Sequence, residues 1–299
     1  MAVTAREMTT PSEPHCWVCG GHDLSLAKKG DIRGALTASS VMISDTHYGF
    51  TANIYRCAAC GFLECHDLDG MLSLYQDMDD FEYESTRAER AMRANRLLDE
   101  VAKYKPSGRL LDVGAGSGIM VEAATNRGYD AIGIEPSGPM QARAVKLGLP
   151  VIHGVLPHPE AEGPFDVVAV VDVIEHVPDP VGLARLVAGV MADDGICLIV
   201  TPDVGSFAAR LMGCSWWHYR TAHIGYFNKH TLSQTLGKVG LRPLFFRRPS
   251  WYFPAGYLRR RIASYIAPRL RPRVPKLLDR IVVPLNLFDS YLVLLQKER

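Results

Sequence analysis

From residue 108 to 203, short apolar runs alternate with stretches whose apolar positions recur every three or four residues, the pattern of strands alternating with amphipathic helices. The runs at 109–113, 129–134, 151–152, 165–171 and 195–201 read as strands. Segments 117–127, 139–147 and 180–191 read as helices, the first stopped by Gly128. The run at 165–171 is apolar and β-branched, as in a strand buried within a parallel sheet. A helix at 231–239 and strands at 241–248 and 290–296 follow, the strands forming an antiparallel sheet edge. The order predicts an α/β fold with a doubly wound, Rossmann-like, mostly parallel seven-stranded sheet.

The flanking segments have other patterns. In 71–105, Met92, Leu97, Leu98 and Val101 lie at helical spacing among charged residues, which predicts a helical lead-in. Residues 1–70 are polar and Gly-rich with paired cysteines, and predict a separate module of short strands and turns. Residues 106–299 then form the main domain, interrupted at about 250–286 by a cationic amphipathic insertion. A length of 299 residues suits this division, and 47% hydrophobic with 22% charged residues is the balance of a folded globular chain. The first fourteen residues carry no apolar run and no apolar stretch is long enough to span a bilayer, so a cytoplasmic protein is expected.

Gly114, Ala115, Gly116, Ser117 and Gly118 fall where the first strand turns into a helix. Glycines there permit positive φ and a close ligand approach, and the helix start offers free N–H groups. Such a loop alone also suits dinucleotides. Asp112, two residues before the first glycine, can orient the loop and hold a cationic ligand end. Glu135, closing the second strand, suits two ribose hydroxyls, although an acid there serves NAD equally.

LLDVGAGSG at 110–118, GIEPS at 133–137, FDVVAVVDVIEHVPDP at 165–180 and GICLIVTPD at 195–203, in this order, resemble the class I S-adenosylmethionine-dependent methyltransferases. The branch with ubiquinone-biosynthesis O-methyltransferases and cluster-type methyltransferases is the one most similar. The resemblance spans about 75–245. It implies S-adenosylmethionine at the carboxyl ends of the strands, with Asp112, Gly114, Ala115, Gly116 and Gly118 at the methionine end and Glu135 and Pro136 at the ribose. Val155 or its neighbours would lie beside the adenine and Asp172 at the edge of the reaction pocket, with Tyr83 or Tyr75 covering the cofactor.

Asp172, Glu175 and His176 follow the buried fourth strand and so face the ligand crevice. The similar ubiquinone-pathway enzymes carry Glu-x-x-Glu-His there and hold a divalent metal with it. Here the first acid is the shorter Asp. Three roles stay open: a Mg²⁺ site, a general base at His176, or bracing of the next helix. Methyl transfer asks chiefly for alignment and for removal of an acceptor proton. The 216–227 string, rich in aromatics, adds His223 and then His218 as candidate bases, with core packing the alternative for Trp216 and Phe227.

Cys16-x-x-Cys19-Gly and Cys57-x-x-Cys60-Gly form two knuckles, a four-thiolate set suited to structural Zn²⁺. The pattern resembles the zinc ribbon fused ahead of cluster-type methyltransferases. The long separation predicts a loop or hairpin over 28–50. Cys197, in an apolar strand, reads as packing.

The net charge of +1 hides an asymmetry: residues 1–203 hold 29 acids and 16 bases, while residues 204–278 hold 14 bases and no Asp or Glu. That field attracts anions or neutralises the acidic part of the same molecule. Leu258, Ile262 and Ile266 share a helical face away from Arg259, Arg260 and Arg261; Tyr265, Arg269, Arg271, Arg273, Lys276, Leu277, Leu278, Ile281, Val282 and Leu285 continue the basic and apolar pattern. The segment predicts either a helix packed on its own domain or peripheral association with an anionic membrane, at the inner face, or a lipid-linked acceptor. The leading expectation is O-methylation of a small-molecule or glycan hydroxyl. RNA methylation and a non-catalytic cofactor-fold protein are the alternatives; against RNA, the first 66 residues are not rich in Lys or Arg.

Overall fold

The structure, a computed structural model, describes residues 14–32, 34–44, 48–68, 70–266, 278 and 280–298. The N-terminal segment contributes β1 (Leu24–Lys28), β2 (Ile54–Cys57) and β3 (Leu63–Glu64). Helices α1 (Met71–Gln76), α2 (Phe81–Ser85) and α3 (Arg87–Val101) lead into the alternating region. There β4 (Arg109–Val113), α4 (Ile119–Thr125), β5 (Asp130–Glu135), α5 (Gly138–Lys146), β6 (Val151–His153), β7 (Phe165–Val171), α6 (Pro180–Val190) and β8 (Met191–Pro202) follow one another. The remainder runs α7 (Phe207–Met212), β9 (Gly225–Tyr226), α8 (Lys229–Gly237), β10 (Leu241–Arg247), β11 (Trp251–Pro254), α9 (Ala255–Ile266), β12 (Val282–Leu285) and β13 (Ser290–Lys297).

Seven strands form the main sheet in the order β10-β13-β8-β7-β4-β5-β6. Strands β4 to β8 pair in parallel, and β13 lies antiparallel between β8 and β10. The order reverses between β4 and β7, so the crevice above their carboxyl ends is where an open α/β sheet binds ligands. In β7, Val167, Val168, Ala169 and Val170 are fully buried, with one apolar cluster on each face of the sheet. Strand β8 starts four residues before the apolar run at 195. Asp193 and Asp194 are exposed and interrupt the hydrophobic pattern, yet Met191 still pairs with Phe165 across a register shift. Helix α8 starts earlier than its apolar spacing suggests because Asn228 and Thr231 cap it reciprocally.

Two departures from the sequence-based division matter for the site. The N-terminal sheet has the order β1-β2-β3-β9, so its fourth strand comes from the main domain. The insertion is not only helical: β11 and β12 pair as an antiparallel ribbon around α9. Arg269, Arg271, Arg273, Lys276 and Leu277 lie outside the described residues, as do residues 1–13 and the side chains of Arg260, Arg261, Ile262, Tyr265 and Ile266. Among the described residues no helix is long and apolar enough to cross a membrane.

Candidate cofactor and acceptor site

The chain leaves β4 through the glycine loop. Gly114 and Gly116 have φ of 75° and 55°, and a Cβ on Gly114 would stand 2.5 Å from Val173 Cγ2. Only glycine meets both demands at 114. The N–H groups of Gly114 and Ala115 donate to the Ile134 carbonyl (2.9 and 3.1 Å), tying the loop to β5. Gly118 stands at the start of α4 with its N–H on the Ala115 carbonyl. Glu135, at the end of β5, accepts from Gly116 N (2.7 Å) and Ser137 N (2.8 Å). Burial pushes its carboxyl up while these two donors pull it down.

Asp112 is 4% exposed and, among the described residues, makes no hydrogen bond through its carboxylate. Burial, with the Glu135 charge nearby, pushes its pKa up to about 8. Tyr83 lies over the loop: a Cβ on Gly116 would be 3.6 Å from its hydroxyl, and the Arg90 guanidinium stands 3.9 Å from its ring. Pro136 offers its carbonyl to His153 Nε2 at 3.0 Å. Val155 lies just past β6 and is 44% exposed. The structure thus gathers Asp112, the glycines, Glu135 and Tyr83 around one loop, and Val155 follows Gly154, whose N–H donates to the Glu135 carbonyl at 2.9 Å.

The Asp-x-x-Glu-His residues separate. Asp172 takes a φ of 55°, a strained state for a non-glycine residue, and Arg93 of α3 grips its carboxylate at 2.7 and 3.2 Å. Arg93 is buried and packs its guanidinium 3.4 Å from the Trp251 ring of β11. Asp172 is therefore not grouped with Glu175 and His176; the third group close to them is His223. The side-chain donors of Glu175, His176 and His223 lie within 4.8 Å of one another. This corrects the Mg²⁺ set expected at Asp172, Glu175 and His176: two imidazoles and one carboxylate suit a transition cation better than Mg²⁺, which prefers oxygen.

Glu175 is buried, accepts from Thr201 Oγ1 at 2.9 Å, and leaves Oε1 without a partner. Burial, with Asp172 nearby, pushes it up to about 8. His176 Nδ1 lies 2.7 Å from the Ala222 carbonyl and 2.6 Å from the Tyr75 hydroxyl. A carbonyl only accepts, so Nδ1 carries the hydrogen and Nε2 presents its lone pair. Burial lowers His176 to about 4 and drives His223 well below the ordinary imidazole value, so both rings are neutral near pH 7. The His223 ring meets His176 edge-on at 4.8 Å and stacks on His218 at 5.7 Å. His218 Nε2 in turn sits 3.3 Å from Asp289. Trp216 and Phe227 are fully buried core residues. Arg93 and Asp289 carry no signal in the sequence, because their partners come from distant segments and no local pattern marks them.

The four knuckle thiols converge. Cys16 and Cys60 Sγ are 3.5 Å apart, Cys19 and Cys57 Sγ 3.4 Å, and all four lie within 4.8 Å. A tetrahedral ion at about 2.3 Å from each sulfur needs S···S edges of roughly 3.8 Å, so the set fits Zn²⁺. Burial raises Cys16, and Cys60 to about 11, so without a cation these two groups favour the neutral thiol.

A parallel sheet with this strand order, a glycine loop after its first strand and an acid closing the second define the class I S-adenosylmethionine-dependent methyltransferases. The methyltransferase domain family matches residues 83–244, and the chain belongs to it. It is 32% identical over 126 residues to a ubiquinone biosynthesis O-methyltransferase of Rhodopseudomonas palustris, covering 38% of this chain and 50% of that one. To the protein of the same description from Cereibacter sphaeroides it is 26% identical over 184 residues, or 55% and 74% of the two chains. The chain spans about half the length of the first of these curated relatives. Among solved structures, an S-adenosylmethionine-dependent methyltransferase from Archaeoglobus fulgidus aligns over 73% of this chain and all of that one, at 18% identity and a TM-score of 0.49.

Proposed function

We propose that this chain transfers the methyl group of S-adenosylmethionine to a hydroxyl of a small molecule or glycan. The observation that carries the cofactor half is Asp112, a buried carboxylate beside the glycine loop with no protein partner among the described residues. Such a group calls for a cationic ligand, and the cofactor's amino-acid end supplies an ammonium. Glu135 would meet the ribose hydroxyls, and Tyr83 would cover the cofactor. The ubiquinone-pathway relatives support oxygen as the acceptor atom. Bound S-adenosylmethionine would supply an activated methyl group to the acceptor oxygen, and the hydroxyl proton would pass to His176 Nε2 or to His223. Of the two, His176 is the better placed, because its tautomer is set and its side chain is partly open at 18% exposure. The four thiols of Cys16, Cys19, Cys57 and Cys60 would hold a structural Zn²⁺ with no open position for chemistry.

The test is calorimetric titration with S-adenosylhomocysteine. Asp112→Asn and Glu135→Gln are each expected to weaken binding by about 10- to 100-fold, the scale of one or two charge-assisted hydrogen bonds. Asp112 is raised to about 8 in the free protein, so ligand binding at pH 7 must expel its proton. Affinity should rise as pH goes from 6 to about 8, by no more than about tenfold per unit, and then level off. Full affinity in both variants would remove Asp112 and Glu135 from the cofactor site; a flat pH profile would mean that Asp112 is already ionised in the free protein.

A further inference from the structure

On α7, Phe207 and Leu211 are four residues apart and share a helix face, and they are 78% and 74% exposed. The turn between β12 and β13 presents Phe288 at 63% exposure, beside Leu287. Phe288 has a φ of 56°, a costly state for an aromatic residue. The turn is nevertheless well held. Phe288 N donates to Asn286 Oδ1 (2.9 Å), and Asn286 Nδ2 donates to the Arg248 carbonyl (3.0 Å). The same turn is fastened to the base of α7: Asp203 N donates to the Asp289 carbonyl at 2.8 Å. The Arg248 guanidinium spans the Asp203 carboxylate (2.7 Å) and the Ser290 carbonyl (3.3 Å).

Large apolar side chains held in water by an ordered backbone mark an interaction surface when they cluster. The charge of the segment that carries α7 indicates its chemistry. Residues 204–278 hold 14 Lys and Arg and no carboxylate, and Arg210 on α7, Arg259 on α9 and Arg280 before β12 are exposed. Apolar tips that share α7 with an exposed arginine, in a stretch of sequence without carboxylates, match the interface of an anionic bilayer, where acyl chains take the tips and headgroups take the cations. A nucleic acid would meet the cations but leave Leu211 without a partner.

We propose that α7 and the 287–288 turn form a docking surface that seats this protein on an anionic lipid bilayer. The surface adjoins the acceptor side of the site. Asp289, the residue after Phe288, accepts from Trp217 Nε1 at 2.6 Å and sits 3.3 Å from His218, whose ring stacks on His223. An acceptor anchored in the bilayer would therefore meet the histidine cluster from the membrane side. The proposal goes beyond the transferase reading and does not depend on it.

The test is flotation of the full chain with vesicles of phosphatidylcholine, alone or with phosphatidylglycerol at about one lipid in three. Binding is expected only to the anionic vesicles and should weaken in 0.5 M salt, about where the Debye length falls below 5 Å. The double variant Phe207→Ser/Leu211→Ser and the single variant Phe288→Asn should each lower the partition coefficient by about tenfold or more. Thermal melting confirms that each is folded, and Phe288→Asn places at 288 a residue that tolerates the left-handed backbone. A Phe207→Trp variant should also gain emission that brominated anionic lipid quenches. No vesicle binding by the wild type, binding that survives both sets of substitutions, or tight capture of RNA with no vesicle binding would each overturn the proposal. Because the assay needs neither cofactor nor acceptor, its failure is separate from any failure of S-adenosylhomocysteine binding.

Discussion

Replacing His176 by alanine is expected to lower methyl transfer by about 10²–10⁴-fold at saturating cofactor, the range a positioned general base supplies. The expectation rests on three features. Nδ1 is committed to the Ala222 carbonyl, so Nε2 must be the accepting nitrogen. Burial lowers the ring to about 4, so it is already neutral at pH 7. Its neighbours Glu175 and His223 leave Oε1 and Nδ1 buried without a hydrogen-bond partner, polar atoms that an acceptor hydroxyl would satisfy. The pH profile follows with its sign: a base lowered to about 4 is unprotonated above that value. The His176-dependent limb of kcat/KM should rise from pH 3 to about 5 and stay flat from 6 to 8. His223→Ala, which removes the ring that lies edge-on to His176 and stacks on His218, is expected to cost a similar or smaller factor. Affinity for S-adenosylhomocysteine should change by no more than about twofold in either variant, since the lost interaction belongs to the acceptor step. Once screening of glycans and quinols supplies an acceptor, full turnover by both variants would sink the base assignment.

The sequence makes the main sheet legible because a parallel strand buried on both faces must be apolar throughout. Runs 109–113 and 165–171 became β4 and β7 with no shift of boundary. It makes the glycine loop legible because backbone geometry there admits so few residues. The pattern loses contact where partners lie far apart along the chain. Asp172 can be read as a pocket residue, but Arg93, 79 positions away, decides what its carboxylate does. The same holds for Asp289 and His218, and for β9. That strand is only two residues long, Gly225 and Tyr226, too short to produce an alternation of its own. The β11–β12 ribbon is hidden for another reason: its strands flank a cationic helix whose composition dominates the segment.

Loss of the zinc proposed for the four-cysteine cluster should reach much further than the first 66 residues. Purified protein is expected to carry one zinc per chain, and Cys16→Ser or Cys57→Ser to lose it. The melting temperature should then fall by about 10 °C or more, since structural zinc supplies folding free energy of several kcal/mol. The reach follows from how the knuckles are built in. Leu63 and Glu64 pair with Tyr226 and Gly225, and Cys65 N donates to the Ile224 carbonyl at 2.8 Å. Ile224 N in turn donates to the Glu175 carbonyl at 2.9 Å. Phe62, between the knuckle and β3, packs its ring 4.9 Å from Phe227, and Lys238 of the main domain bonds the Val18 carbonyl. His223 and Glu175 are thus held from one side by strands that the cysteines fasten. Amide exchange measured with and without a chelator should show protection lost first in 54–65, then in 224–226, with β4 and β7 unchanged. Loss of zinc with unchanged protection at 224–226 would mean that the knuckles only abut the site. Retention of full stability without zinc would mean that apolar packing of Val18 and Phe62 alone holds the N-terminal sheet in place.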